Sequence, residues 1–341
     1  MKNLRVCLVG FGYWGPNLAR NIVSSDFFEL AFVFEPDSNK HKKIAKLYPS
    51  ARILHSKEEL ISIESSIDVG VIATPTASHF ELAKFFLEMN CHVWIEKPFT
   101  RNFLEAKELL NLANKRNLKI FVDHTYLYNP AISEIKSIRS QIGDITYINS
   151  TRSNFGIIQN DSSVIWDLAV HDLSIINYIV DTKPISLICV ASSPFPEIQR
   201  SIATLILNYE TFACTVHVNW LSPFKVRDFI VGGTAKSIYF DDTKTDDKLR
   251  VYLQSIENLP NYSENDIRQF EYKYGDILVP DISNQEALAE AFKQFALYIN
   301  DDLEPASSGT KAAEIIRILS AADASINQNG ALVHLNDFMV N

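Results

Sequence analysis

Continuous apolar runs alternate with stretches of helical spacing over the first third of the chain. Val6-Cys7-Leu8-Val9 has four apolar residues in succession, the pattern of a strand covered on both faces in a parallel sheet. Leu18, Ala19, Ile22 and Val23 then keep a helical period. The alternation repeats with runs at Leu30–Phe34, Arg52–Leu54, Val69–Ala73, His92–Ile95 and Lys119–Val122. Between them lie helices predicted near Lys40–Leu47, after Ser56, at His79–Met89 and at Phe103–Arg116. Ser56 with Glu59 three residues on is a capping-box pattern. Strands and helices in strict alternation predict a doubly wound parallel sheet.

The pattern changes after Asp123. A polar, aromatic stretch from His124 to Pro130 leads to a helix near Ala131–Ser140. Strand-like runs follow at Ile145–Arg152, Ile185–Ser192, Ile202–Asn208, Ala213–Trp220, Val226–Val231, Ser237–Phe240 and Leu249–Gln254. With few helices between them they predict an antiparallel sheet. One helix, Ser163–Val180, interrupts them; Asp241–Lys248 reads as a solvated hairpin turn and 255–282 as a long loop. Helices near Gln285–Ile299 and Thr310–Gln328 end the pattern. The expected fold class is α/β: a dinucleotide-binding domain over 1–123, then an α+β domain over 124–341 with a large, mostly antiparallel, open-faced sheet. The last helix is free to pack back on the first domain.

Composition narrows the function. A net charge of −9 argues against broad binding to nucleic acid or anionic membranes, which need clustered Lys and Arg, but leaves room for a local basic pocket. The cysteines, Cys7, Cys91, Cys189 and Cys214, lie apart in apolar runs and suit the core of a protein in a reducing compartment. Few residues separate Met1 from the first strand and no apolar run is long enough to span a bilayer, so a cytoplasmic location is expected. No His, Cys and carboxylate cluster has metal-site spacing, and no metal is expected.

The first strand runs directly into Gly10-Phe11-Gly12-Tyr13-Trp14-Gly15, a G-x-G-x-x-G turn. In such a turn the first glycine allows the bend, the second lets backbone approach a pyrophosphate, and the third lets the helix pack close. Pro16 suits the first helical turn, and the helix start would attract phosphate. Glu35 ends the second strand about 20 residues past Gly15, where a ribose-binding acid belongs. Thr74-Pro75-Thr76 follows a strand at the edge where open sheets bind ligands; it reads either as a cofactor contact or as a strand stop with a helix cap. His79 and His124 also follow strand ends and could meet the cofactor.

Glu96-Lys97-Pro98 places a lysine at the carboxyl end of a buried strand. Its ammonium could steady a substrate oxygen, or it could form a loop salt bridge with Glu96. Asp167 and His171 are at i and i+4 of the interrupting helix and share a face. They suit a general base and its supporting acid, or a dipole-favoured Asp and a packed His.

Taken together, G-x-G-x-x-G at 10–15, Ala-Thr-Pro at 73–75, Glu-Lys-Pro at 96–98 and Asp-x-x-x-His at 167–171 resemble the Gfo/Idh/MocA oxidoreductases over nearly the whole chain. The resemblance implies a Rossmann domain followed by an antiparallel-sheet domain that forms a homodimer or homotetramer through its open face. It implies that Lys97 and His171 contact the reacting hydroxyl, with Asp167 supporting His171, and that Gly10, Phe11, Gly12, Tyr13, Trp14, Gly15, Glu35, Thr74, Pro75, Thr76, His79, Glu96 and Lys97 line the cofactor. The expected cofactor is NAD, because Glu35 repels a 2′-phosphate; Lys40, Lys42 and Lys43 leave NADP open. Tyr126, Arg152, Asn154 and Trp166 lie in segments expected to border the substrate. Val170, where many members have glycine, narrows the space beside His171. Residues 12–21 are similar to a nucleotide-sugar 3-dehydrogenase branch that feeds an aminotransferase, so a UDP-N-acetylhexosamine oxidised at C3 is the expected substrate. The alternatives are a dehydrogenase of a free sugar or inositol, and a dinucleotide-binding regulator without turnover.

Overall fold

The computed structural model of the chain describes residues 3–62, 66–156, 162–195, 200–258, 270–336 and 338. These divide into two compact units, Met1–Tyr128 with Gln285–Arg317, and Asn129–Asn284 with Ile318–Asn341.

The first unit opens with β1 (Leu4–Val9), α1 (Gly15–Val23), β2 (Phe28–Phe34), α2 (Ser38–Leu47), β3 (Arg52–Leu54), α3 (Lys57–Ser62) and β4 (Val69–Ile72). It continues with α4 (His79–Glu88), β5 (His92–Glu96), α5 (Phe103–Arg116) and β6 (Ile120–Asp123). The strands form a six-stranded sheet in the order β3-β2-β1-β4-β5-β6. All its pairings are parallel. This is the dinucleotide-fold order, whose ligand edge lies at the carboxyl ends of the strands where the winding reverses, between β1 and β4. Cys7, Leu8, Val69, Val71, Val93 and Ile95 are wholly buried, as unbroken apolar runs in a doubly covered sheet require.

The second unit contains α6 (Pro130–Ser137), β7 (Ile145–Ser153), α7 (Val170–Ile179), β8 (Ser186–Ser192), β9 (Ile202–Asn208), β10 (Ala213–Asn219), β11 (Val226–Gly233), β12 (Ser237–Asp241) and β13 (Leu249–Tyr252). The later strands are β14 (Ser255–Asn258), β15 (Phe270–Lys273) and β16 (Ile277–Leu278). After α8 (Ala287–Asp301) and α9 (Gly309–Asn327), β17 (Val333–His334) closes the chain. A nine-stranded sheet runs β16-β13-β12-β11-β7-β10-β9-β8-β17 and is antiparallel except where β7 pairs with β10. Burial alternates along β9 and β10, so one face is packed and the other open. Tyr147, Val190 and Ile206 are exposed. On α9, Ser325 Oγ accepts from the Cys189 N–H of β8 at 2.9 Å.

Three features differ from the sequence expectation. Gln285–Arg317 belongs with the first unit, because Phe292 and Phe295 of α8 complete an aromatic cluster with Phe28, Trp94 and Phe121; Trp94 and Phe292 stack at 4.2 Å. The loop expected over 255–282 contains the β14–β15 pair and β16; its residues 259–269 lie outside the described residues. The helix expected at Ser163–Val180 begins as a π turn, Ile165–Ala169, before α7. All four cysteines are buried thiols, as expected of core residues. Among the described residues no helix is long and apolar enough to cross a membrane.

Candidate active site

The turn after β1 has the three properties that its glycines imply. Gly10 has φ +92°, and a Cβ there would lie 2.6 Å from Ala73 O, so the turns after β1 and β4 meet without a side chain between them. A Cβ on Gly15 would lie 2.6 Å from Gly10 O. At Gly12 a Cβ would meet nothing within 4 Å, which is the open approach a pyrophosphate needs. No side chain caps the first turn of α1, so its start can receive an anion. These residues fit a dinucleotide. Gly12→Val is expected to abolish NAD binding, read by titration calorimetry, while circular dichroism and thermal unfolding stay as in the wild type, because the added methyls enter ligand space only.

Glu35, just past β2, is 3% exposed. Its Oε2 accepts from the Phe11 N–H at 2.7 Å and from Lys40 Nζ at 3.0 Å, and its Oε1 accepts from the Asp37 N–H at 3.0 Å. Burial alone would raise its pKa, but the bonds from Asp37, Lys40 and Phe11 together hold it below the usual carboxylate range. A carboxylate has roughly four acceptor sites, so one remains for a ribose hydroxyl. Tyr13 is 92% exposed, whereas Phe11 is buried.

After β4, the Ser78 hydroxyl lies 2.7 Å from Thr74 Oγ1, and the Ser78 N–H donates to Pro75 O, closing the turn that contains Thr76. His79 was expected at the cofactor. Its ring is wholly buried instead, with Nδ1 2.9 Å from Pro98 O and Nε2 2.9 Å from Thr74 O. No ring nitrogen is left for a ligand, and His79 braces the two turns from behind. Burial pushes its pKa down.

At the ends of β5 and β6 four polar residues come together. Glu96 and Asp123 are register partners on adjacent strands, and each carboxyl acts on the other. Trp14 Nε1 donates to Asp123 Oδ2 at 3.3 Å and the Thr125 hydroxyl to Oδ1 at 2.6 Å. Lys97, in a cis peptide bond with Pro98, lies close enough to Glu96, Asp123 and His124 for its charge to act on all three. Tyr126 is half-buried in the short helical turn Thr125–Tyr128. Asp123 had no place among the expected site residues. Its signal was available, for it ends an apolar run as Glu35 and Glu96 do.

In the second unit the π turn carries Trp166 and Asp167, and His171 follows on the first turn of α7. A π turn in a helix is frequent at functional sites. Asp167 Oδ2 accepts from Trp220 Nε1 at 3.1 Å, a partner just beyond β10 that sequence spacing could not reveal. Trp166 Nε1 donates to Asp323 Oδ2 at 2.7 Å, and Arg200 also binds Asp323. Arg152 was expected to border the substrate. Instead its Nε and Nη2 bind both oxygens of Asp172 at 2.9 and 3.0 Å, with the two side chains 4% and 3% exposed. That pair ties β7 to α7 immediately beside His171. Asn154 is half-buried and donates its backbone N–H to Asn219 O at 3.1 Å.

Residues 4–124 match the family model of the Gfo/Idh/MocA oxidoreductase family, NAD-binding Rossmann fold. Residues 4–124 are thus similar to the NAD-binding Rossmann domain of that family. Over 191 residues it is 27% identical to the UDP-N-acetylglucosamine 3-dehydrogenase of Acidithiobacillus ferrooxidans, covering 54% of this chain and 57% of that one. The chain spans about half the length of the curated relatives it matches first. The solved structure of that dehydrogenase superposes with a TM-score of 0.80 over 96% of this chain and 99% of the other, at 20% identity. An oxidoreductase of Agrobacterium radiobacter, solved with NAD+, L-tartaric acid and magnesium, gives 0.80 over 98% and 99% at 17% identity. At these identities the structural likeness shows the fold alone.

Proposed function

We propose that the chain is an NAD-dependent oxidoreductase that exchanges hydride with a secondary hydroxyl carbon of a nucleotide-activated sugar, a UDP-N-acetylhexosamine at C3. The observation that carries the activity is the placement of Lys97 at the carboxyl end of β5, on the ligand edge of the NAD-binding sheet and among Glu96, Asp123 and His124. The substrate rests on the likeness to the UDP-N-acetylglucosamine 3-dehydrogenase.

In this reading Lys97 donates to the reacting oxygen and stabilises negative charge on it as the proton leaves. His171 takes that proton, and Asp167, fixed by the Trp220 indole, supports the ring as it becomes charged. NAD, when bound, supplies the hydride acceptor. The open face of the nine-stranded sheet, with Tyr147, Val190 and Ile206, is where we place pairing between copies in a homodimer or homotetramer. An aminotransferase acting on the ketosugar is the matching pathway partner, and the cytoplasm the matching location.

The test is NADH formation by the purified chain with NAD against UDP-sugars, free hexoses and inositols. Turnover confined to UDP-sugars is expected. Turnover of free sugars or inositols alone would refute the substrate, and tight NAD binding with no turnover on any of them would favour a regulator.

A further inference from the structure

The cluster at the ends of β5 and β6 has more acid than a buried site can ionise. Glu96 and Asp123 stand opposite each other on adjacent strands with their carboxyls acting on one another in a buried setting, and two carboxylates that close together do not both stay ionised there. The surrounding donors decide which. Asp123 accepts from the Trp14 indole at 3.3 Å and from the Thr125 hydroxyl at 2.6 Å, so both its oxygens face donors and it is the ionised member. Glu96 has the Lys97 backbone N–H on its carboxyl, but its Oε1 is buried with no hydrogen-bond partner. A bare carbonyl oxygen of a neutral acid is far cheaper to bury than a bare carboxylate oxygen, so the proton belongs to Glu96.

The other titratable neighbours agree. His124, 2% exposed, has neither ring nitrogen hydrogen-bonded. Burial first, and the charge of Lys97 second, push it down to about 3, so it stays neutral and is not the source of the proton. Burial and the neighbouring acid raise Glu96 well above its ordinary value, while Lys97 pulls both acids down and keeps the pair from taking a second proton. Glu96–H, Asp123 carboxylate, Lys97 ammonium and neutral His124 then sum to zero charge, the cheapest composition for a buried cluster.

We infer that Glu96 and Asp123 share one proton and act as positioning residues that join the dinucleotide turn, through Trp14, to the Lys97 turn. Loss of that proton to solvent leaves two adjoining carboxylates, which repel each other and break the link. The benefit to Lys97 rests on the proposed oxidoreductase reading, whereas the shared proton and the hold on the NAD turn do not.

Two measurements on the full chain test this. The infrared difference between wild type and Glu96→Gln without added ligand, at neutral pH, should contain the carbonyl band of a protonated carboxylic acid, lost in the variant. NAD affinity of the wild type should fall as pH rises into the alkaline range. Glu96→Gln, which still offers Asp123 a donor, should show no such step. Trp14→Phe removes the donor that joins the pair to the dinucleotide turn, so it should flatten the pH step in NAD affinity while the infrared band persists, a split that a purely structural role would not produce. Asp123→Asn should weaken NAD binding by about tenfold at all pH, more than Glu96→Gln does at neutral pH. Absence of the infrared band, or an alkaline step retained in Glu96→Gln, overturns the inference. A chain that binds no NAD at any pH would overturn the oxidoreductase reading, while the infrared band would still decide the proton.

Discussion

Lys97→Met is expected to lower kcat about 10²–10³-fold while weakening NAD binding by no more than about tenfold, the most that its loss can do through the Glu96–Asp123 pair. A single pre-placed donor to a developing oxyanion contributes about that much, and methionine fills the same volume without a charge. The cofactor turn is built from Gly10, Gly12, Gly15, Glu35 and Thr74, none of which needs the ammonium to hold its place. Steady-state kinetics with whichever substrate the NADH assay identifies, set beside calorimetric titration of NAD, separates the two effects. A loss of NAD affinity as large as the loss of kcat would reassign Lys97 to the cofactor.

The second large effect concerns stability. Arg152→Met should cost about 3–5 kcal/mol, because it leaves the Asp172 carboxyl buried with its bidentate partner gone. Adding Asp172→Leu should recover most of that loss, since two apolar residues of similar volume replace a buried ion pair at little cost. Denaturant unfolding of the wild type and both variants makes the comparison. A single-variant cost below about 1 kcal/mol would place the pair among solvent-exposed ion pairs, which contribute that little. The single variant should also lose activity beyond its loss of folded protein, because the pair anchors α7 next to His171.

The amino-terminal unit was legible because its features are local. An unbroken apolar strand, three glycines at fixed offsets and an acid about 20 residues later all lie within one strand-helix-strand segment. Asp167 and His171 could be placed on one helix from their spacing, but the π turn beneath Asp167 could not. What holds that turn is tertiary, with Trp220 on Asp167 and Asp323 on Trp166 from elements 53 and 157 residues away. Arg152 was misread for a related reason. An arginine in a strand looks like a rim residue until its register sets it under Asp172 of the following helix. His79 sits at a strand end as a ligand residue would, and only the course of the chain through Pro98 turns it inward. Glu96 and Asp123 both close apolar runs, yet their meeting depends on which strands are neighbours, and the order of the sheet is not written in either run.

The Glu35 carboxylate has a consequence for redesign. In many dinucleotide folds, preference for the phosphorylated cofactor is sought by removing the acid after the second strand. Here that acid also latches the Phe11 N–H of the glycine turn and the Asp37 N–H of its own, so removing it loosens the grip on either cofactor at once. Lys40, already seated against Glu35 and partly exposed, is the residue from which a 2′-phosphate site can be built while the latch stays closed.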